Sequence, residues 1–269
     1  MVTKTLPPLP GTAENDLWTG TNEFGPVNLS EAVFPIFRRI DSRSCEIVGT
    51  AFYVLRNGAF MTARHVLDER TGTLFGIHFG PGTHFYLRPV IAAYHHPISD
   101  LSIGVLEGMR HRQTGKLLEN KTLVIRPDTP PQGAPISTYS YPLHDVVLTD
   151  AGTQIDVRPT FYDGPLLDYY GERGPSAKLQ CPYFLSGLHL YGASSGGPVF
   201  STKGNAFAVA NSSYDGANDI AFVTPIELAG DIIIKGVDLK DGNGSQDLPF
   251  REILNAHMRS VPEKRRSAL

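Results

Sequence analysis

Short apolar segments separated by turn residues recur along most of the chain. Runs that are rich in Val, Ile, Phe and Tyr and bounded by Gly, Pro or Asn are typical of β-strands. Between residues 32 and 107 these segments are AVFPIFRRI, EIVGTAFYVL, AFMTARHVL, THFYLRPVIAAYHH and LSIGVLE. The Asn57-Gly58 pair accommodates the positive φ of a tight hairpin, so we predict that EIVGTAFYVL and GAFMTA pair as antiparallel strands.

A second group of strand-like segments follows a polar stretch that runs from Gly108 to Lys121. This group consists of TLVIRP, APISTYSYP, HDVVLTDAG, TQIDVRPTF, AKLQCPYFL, GGPVFS, NAFAVANSS and DIAFVTP. A polar stretch between two apolar groups is typical of a linker. We therefore predict an all-β protein with two β units of similar size, at residues 31–115 and 116–230.

The two ends of the chain depart from this pattern. Residues 1–30 are rich in Pro, Gly, Asn and Thr, which predicts an irregular N-terminal arm. After the second unit, TPIELAGDIII predicts a helix that starts at Pro225. LPFREILNAHMRS carries four apolar residues at helical spacing, so residues 231–269 are expected to form a C-terminal helical segment.

Composition narrows the functional classes. The 269 residues include 27 Gly and 21 Pro, and the formal charge of -3 is spread without acidic or basic blocks. This charge distribution gives no field that attracts nucleic acid strongly, so we expect no nucleic-acid partner. There is no run of about 18 apolar residues and no apolar leader segment, which predicts a cytoplasmic protein that does not enter a membrane.

Cysteine and histidine usage predicts no metal site. The two cysteines, Cys45 and Cys181, are expected to be reduced, although a bond between them stays open at this stage. No C-x-x-C pair is present and the nine histidines follow no ligand spacing. We therefore expect neither a metal nor an organic cofactor.

Three segments carry candidate chemistry: TARHVLD, HPISDLSIGVLE and GASSGGPVF. They contribute His65, Asp100 and Ser195, in that order. A serine hydroxyl is a poor nucleophile near neutral pH and needs a base within hydrogen-bond reach, a task that suits His65. Asp100 would orient the imidazole and stabilise the imidazolium. Because the serine lies in the second unit and the other two residues in the first, catalysis would depend on how the units pack.

These segments resemble the trypsin/chymotrypsin-like serine peptidases, above all their bacterial Deg-type and glutamyl-endopeptidase branch. TARHVLD resembles the T-A-x-H segment, DLSIGVLE the strand at the triad aspartate, and ASSGGPVF the G-[DN]-S-G-G-P nucleophile loop. The resemblance covers about residues 33 to 230. It implies two packed, antiparallel, six-stranded β-barrels and a serine endopeptidase of proteins or peptides. Its triad would be His65, Asp100 and Ser195, with the N–H groups of Ala193 and Ser195 as the oxyanion hole.

Three positions depart from the family pattern, the first being Arg64, which replaces the usual alanine before the histidine. Ala193 stands where the family has glycine, and its Cβ is expected to hinder the peptide orientation that the oxyanion hole requires. This departure keeps a second interpretation open, a catalytically silent binding module with a peptidase fold. Ser194 replaces an acidic residue, and no propeptide is visible, which predicts control by a regulatory protein partner, the N-terminal arm or the C-terminal segment.

The resemblance also places a substrate pocket at His189, Ala210, Asn211 and Ser212. No carboxylate occurs at these positions, so a preference for Lys or Arg is not expected. His189 has two interpretations: it favours an acidic substrate residue, or it is a loop histidine that faces solvent or a backbone carbonyl.

The sequence GASSG also fits the G-x-S-x-G elbow of α/β-hydrolases, with Ser194 as the nucleophile. His257 would then be the base, and Asp219 or Asp231 the acid. This alternative, an esterase, requires a mainly parallel sheet with crossover helices. The hairpin spacing and the lack of helical patterns before residue 225 favour Ser195 instead.

Overall fold

The computed structural model describes most of the chain between residues 19 and 260. The described residues are 19–22, 25–40, 45–68, 72–79, 85–149, 152–172, 174, 179–180, 182–213, 220–239, 242 and 244–260. Most of the predicted arm, Cys181 and the tail after Ser260 therefore lie outside them. Cys45 is a free thiol. Within the described residues, no helix has the length and apolar character needed to cross a membrane.

The end of the predicted N-terminal arm is ordered. It contains a hairpin of β1 (Thr19–Asn22) and β2 (Gly25–Asn28) and a helical turn, α1 (Leu29–Ala32). The Asn28 side chain caps this turn by accepting a hydrogen bond from the backbone N–H of Ser30 at 3.0 Å. Leu29 and Ala32 are buried in the main core. The prediction of an irregular arm up to residue 30 was wrong here, because apolar residues anchor this segment.

Six antiparallel strands close a first barrel, in the order β3-β4-β5-β8-β7-β6. They are β3 (Val33–Arg39), β4 (Cys45–Tyr53), β5 (Ala59–Thr62), β6 (Thr73–Phe79), β7 (Phe85–His95) and β8 (Ser102–Leu106). The predicted pairing across the Asn57-Gly58 turn is confirmed, with Gly58 at φ 102°. Strand β6 was not predicted from the sequence, because it carries a glycine at its centre. A Cβ on Gly76 would lie 2.8 Å from the Phe34 ring, so this strand needs the glycine that weakens its pattern.

A second barrel closes in the order β10-β11-β14-β13-β12-β9. Its strands are β9 (Pro135–Thr149), β10 (Gly152–Tyr170), β11 (Tyr183–Ser186), β12 (Pro198–Ser201), β13 (Ala206–Ser213) and β14 (Ala221–Pro225). The predicted strand TLVIRP was wrong, because this segment forms only one isolated bridge, between Ile125 and Ala206. The barrel closes without it. The predicted fold class, two antiparallel six-stranded barrels, is confirmed.

The segment after the second barrel is part strand and part helix. A 3₁₀ turn (Ile226–Asp231) replaces the helix predicted from Pro225. A hairpin of β15 (Ile233–Asp238) and β16 (Ser245–Pro249) follows, which the β-branched residues Ile232 to Ile234 favour. The predicted C-terminal helix is confirmed as α3 (Phe250–Ser260).

One buried apolar cluster joins the two barrels, and a further cluster lies within each of them. Met61 and Ile103 of the first barrel belong to the same buried cluster as Tyr139, Tyr141 and Val209 of the second. Hydrogen bonds cross the same seam: the backbone N–H of Tyr141 donates to Thr50 Oγ1 at 3.1 Å. Burial of this shared surface fixes the barrels against each other, and residues from both meet at its edge.

Candidate active site

His65 and Asp100 form a tight pair at the edge of the first barrel. His65 lies in a helical turn, α2 (Arg64–Leu67), directly after β5, and Asp100 lies just before β8. His65 Nδ1 lies 2.7 Å from Asp100 Oδ2, and the His65 backbone N–H donates to Asp100 Oδ1 at 3.0 Å. The imidazole side chain is 48% exposed and the carboxylate 18%. The pair therefore holds the ring in one orientation and leaves its other edge open to solvent.

Asn211 of β13 supports this carboxylate from the second barrel. Its side-chain Nδ2 donates to Asp100 Oδ2 at 2.7 Å and to the Asp100 backbone oxygen at 2.8 Å. Its Oδ1 accepts a hydrogen bond from the Thr224 backbone N–H at 3.0 Å, which fixes the orientation of the amide. The two barrels are thus joined at the carboxylate itself.

The pKa of Asp100 lies below its ordinary value of 3.8. Burial by itself would raise this pKa, but the hydrogen bonds and charge of His65 and the hydrogen bond from Asn211 outweigh it. Asp100 is therefore a carboxylate at neutral pH. It can stabilise a positive charge that develops on the imidazole during a reaction.

Ser195 lies on the other side of Asn211. Its Oγ donates a hydrogen bond of 2.5 Å to the Asn211 backbone oxygen. That oxygen is available because a β-bulge between Ala210 and Ser212 interrupts the pairing of β13 with β14. No hydrogen bond joins Ser195 to His65 among the described residues. Asn211 nevertheless contacts both Asp100 and Ser195, so it links the histidine-carboxylate pair to the serine.

The loop around Ser195 is packed tightly against the first barrel. The Ser195 backbone oxygen accepts a hydrogen bond from the Thr50 N–H at 2.8 Å. Gly196 has φ 90°, and a Cβ there would meet the Thr50 oxygen and Thr62 Oγ1 at about 2 Å. Only glycine fits this position, so the S-G-G sequence is what allows the serine to sit at the seam.

Ala193 adopts the left-handed conformation, with φ 65°. It is the one residue other than glycine with a positive φ among the described residues. Its backbone oxygen accepts a hydrogen bond from Thr50 Oγ1 at 2.8 Å, which helps to hold the strained peptide. The backbone N–H groups of Ala193 and Ser195 donate to no acceptor in the described part of the chain, so both are available to a ligand.

Ser194 faces the interior. It is fully buried, and its Oγ accepts a hydrogen bond from Ser140 Oγ at 3.1 Å. Its elbow role also required a parallel sheet, whereas both barrels are antiparallel, and Asp219 lies outside the described residues. The esterase alternative based on Ser194 and His257 was therefore wrong.

The predicted pocket residues occupy different environments. His189 lies against Tyr191 and Tyr162, with ring centroids 4.4 and 6.0 Å away, and is half-buried. Ala210 and Asn211 are fully buried, and the Asn211 amide contacts Asp100, so neither residue lines an open pocket in this structure. Ser212 is exposed.

The fold is shared with known proteases. The MamO protease domain from Magnetospirillum magneticum superposes with a TM-score of 0.54 at 14% identity, over 74% of this chain and 94% of that one. Deg5 gives a TM-score of 0.53 at 16% identity, over 74% and 85%. The active form of the Rv3671c protease from M. tuberculosis gives 0.52 at 16%, over 74% and 78%. No protein-family model and no curated protein sequence matches the chain. The structural likeness shows a trypsin-like, HtrA/Deg-type fold.

Proposed function

We propose that this protein is a serine endopeptidase in which Ser195 is the nucleophile, His65 the general base and Asp100 the residue that orients the base. The observation that carries the proposal is the chain of contacts from His65 through Asp100 and Asn211 to Ser195. A histidine-carboxylate pair beside an accessible serine is the arrangement that acyl transfer requires. The shared fold with proteases supports it.

Catalysis begins with a rotation of the Ser195 hydroxyl. In the structure this hydroxyl donates to the Asn211 backbone oxygen. Rotation about χ1 would turn it toward His65 Nε2, the nitrogen that does not face Asp100. His65 then accepts the proton while Ser195 Oγ attacks the carbonyl carbon of the scissile peptide. Asp100 stabilises the imidazolium that forms.

The attack places a negative charge on the former carbonyl oxygen. The unpaired N–H groups of Ala193 and Ser195 are the donors proposed to bind this oxyanion. His65 next gives its proton to the leaving amine, the peptide bond breaks, and an acyl-enzyme remains on Ser195. Water, deprotonated by His65, then attacks the ester carbonyl; the bond to Ser195 Oγ breaks as this oxygen takes the proton back from His65, and the second product leaves as the acid.

Reaction with a fluorophosphonate probe tests this proposal on the unmodified protein. We expect stoichiometric covalent labelling, seen as one added probe mass in the intact-mass spectrum, because an activated serine attacks phosphorus while an ordinary serine does not. Casein digested under the same conditions should show new N-termini.

The silent binding module is the second candidate. The positive φ of Ala193 and the orientation of the Ser195 hydroxyl away from His65 favour it. A protein that neither reacts with the probe nor cleaves casein would support this module and contradict the peptidase.

A further inference from the structure

A groove of about 1090 Å³ lies between the first barrel and the segment that connects the two barrels. We call this the linker groove. Its walls come from the α1 region, from the β6 and β7 ends of the barrel, and from residues 109–121. The proposed catalytic residues do not line it.

The linker groove and the candidate active site lie at opposite ends of β7. The pairing of β7 with β8 places His95 opposite Ser102, close to Asp100, whereas Tyr86 at the groove lies nine residues earlier on β7. At about 3.3 Å per residue, this part of the strand is roughly 30 Å long, and His65, Asp100 and Ser195 do not line the groove. A ligand in the groove would therefore not contact the residues that carry out catalysis.

The connecting segment is ordered by its own hydrogen bonds. The His111 N–H donates to the Lys116 oxygen and the Gly115 N–H to the His111 oxygen, each at 2.8 Å. Arg110 Nη1 donates to the Gly115 oxygen at 3.0 Å. The segment therefore forms a small hairpin, and its hydrogen bonds fix the positions from which Arg110 and Arg112 extend.

Positive charge is concentrated in this groove. Arg110, Arg112 and Lys121 line it and are exposed, and no carboxylate pairs with them in the described part of the chain. Of the two carboxylates in the walls, Glu119 is paired with Arg56 at 3.2 Å, which leaves Glu31. The excess of cations stands out in a chain whose formal charge is -3.

A buried arginine lies behind the groove wall. Arg88 is 2% exposed and donates only to neutral oxygens, those of Tyr53, Asn120 and the Glu107 backbone. No carboxylate pairs with it among the described residues, so its charge is not compensated within the barrel. His78, a groove residue, responds to this charge: burial first and Arg88 second lower its pKa.

We infer that the linker groove binds an acidic peptide segment of a partner protein. Its cations complement carboxylates, and the exposed Tyr86 and Leu118 in its walls, 51% and 42% accessible, offer apolar contacts to side chains. A nucleic acid fits less well, because its phosphate backbone would extend beyond the groove over a protein whose formal charge is -3, whereas a short acidic peptide stays within the groove. The inference does not depend on the proposed peptidase activity.

Fluorescence anisotropy tests this inference. The probe is a fluorescein-labelled peptide of two Glu-Glu-Phe-Glu-Glu-Leu repeats, and the protein carries Ser195→Ala so that the peptide is not cleaved. We expect saturable binding that weakens as salt is raised. The Arg110→Glu/Arg112→Glu variant should bind at least about tenfold more weakly, because two attractions become repulsions. Lys203→Glu, which reverses an exposed cation in the turn between β12 and β13, is the matched control and should bind as tightly as the parent.

Three results would overturn the inference. One is the absence of saturable binding up to about 1 mM protein, an affinity too weak for a specific site. Another is equal affinity of the parent and the Arg110→Glu/Arg112→Glu variant for the acidic peptide, or equal affinity of the parent for the acidic peptide and for a peptide with Lys in place of Glu. The third is tighter binding of a short DNA duplex than of the acidic peptide, which would assign the groove to nucleic acid.

Discussion

Replacement of Ser195 by alanine is expected to lower kcat for peptide hydrolysis by about a million-fold, which corresponds to roughly 8 kcal/mol of transition-state stabilisation. The loss is this large because no other described hydroxyl takes its place: Ser194 is fully buried and bonded to Ser140. Fluorophosphonate labelling should disappear in the same variant. Steady-state kinetics on a fluorogenic peptide, with the intact mass after probe treatment, measure both effects.

Ser194→Ala is the matched control for this prediction. It removes the neighbouring hydroxyl and one buried hydrogen bond, which costs about 1 kcal/mol of folding free energy. The variant should keep its probe labelling and most of its rate. If Ser194→Ala abolished labelling and Ser195→Ala did not, the nucleophile would be misassigned.

Replacement of His65 by alanine is expected to lower kcat to a similar extent, again about a million-fold. Without the imidazole, the acceptor described for the Ser195 hydroxyl is the Asn211 backbone oxygen, which is not a base, and Asp100 loses the partner that lies 2.7 Å away. In the proposed mechanism the two residues act as a unit, so the His65→Ala/Ser195→Ala double variant should lose no more activity than either single variant. A kinetic double-mutant cycle checks this lack of additivity.

His257→Ala provides the comparison for His65→Ala. His257 lies on α3, in the helix after the second barrel, and was the base of the esterase alternative. Its replacement should leave kcat within a small factor of the parent value. Strict additivity of the His65 and Ser195 effects, or a large loss in His257→Ala, would mean that a different base acts.

The three candidate triad residues were accessible to sequence analysis because each lies in a short local signature. His65 follows a strand and Asp100 precedes one. Ser195 is followed by two glycines, at which a Cβ would lie too close to neighbouring atoms. Hairpin spacing, which is also a local property, predicted two β units, whereas the closure of each unit into a six-stranded barrel was implied only by the family resemblance.

The role of Asn211 was not accessible in the same way. The sequence assigned it to a pocket wall, yet its amide contacts Asp100, which is 111 residues earlier in the chain. Such a contact depends on the packing of the barrels, which no local pattern encodes. The β-bulge at Asn211 frees its carbonyl oxygen for Ser195, and no sequence pattern predicted this bulge.

The conformation of Ala193 agrees with the sequence-based expectation for this position. The sequence predicted that its Cβ would hinder the oxyanion-hole peptide, and the structure shows this residue in the conformation that favours glycine. Thr50, from the first barrel, holds its carbonyl at 2.8 Å. The contact across the seam offsets part of a strain of about 1–3 kcal/mol.

The central claim is that His65 and Ser195 belong to one reactive site although no hydrogen bond joins them in the structure. A peptidyl chloromethyl ketone tests it. The serine oxygen adds reversibly to the ketone carbonyl, which holds the chloromethyl carbon beside the histidine, and the histidine nitrogen then displaces chloride in an irreversible alkylation. We predict that peptide mapping by tandem mass spectrometry will find the inhibitor on His65, and that the Ser195→Ala variant will be alkylated much more slowly. Alkylation of a different residue, or an equal rate of His65 alkylation in the parent and in Ser195→Ala, would contradict the claim.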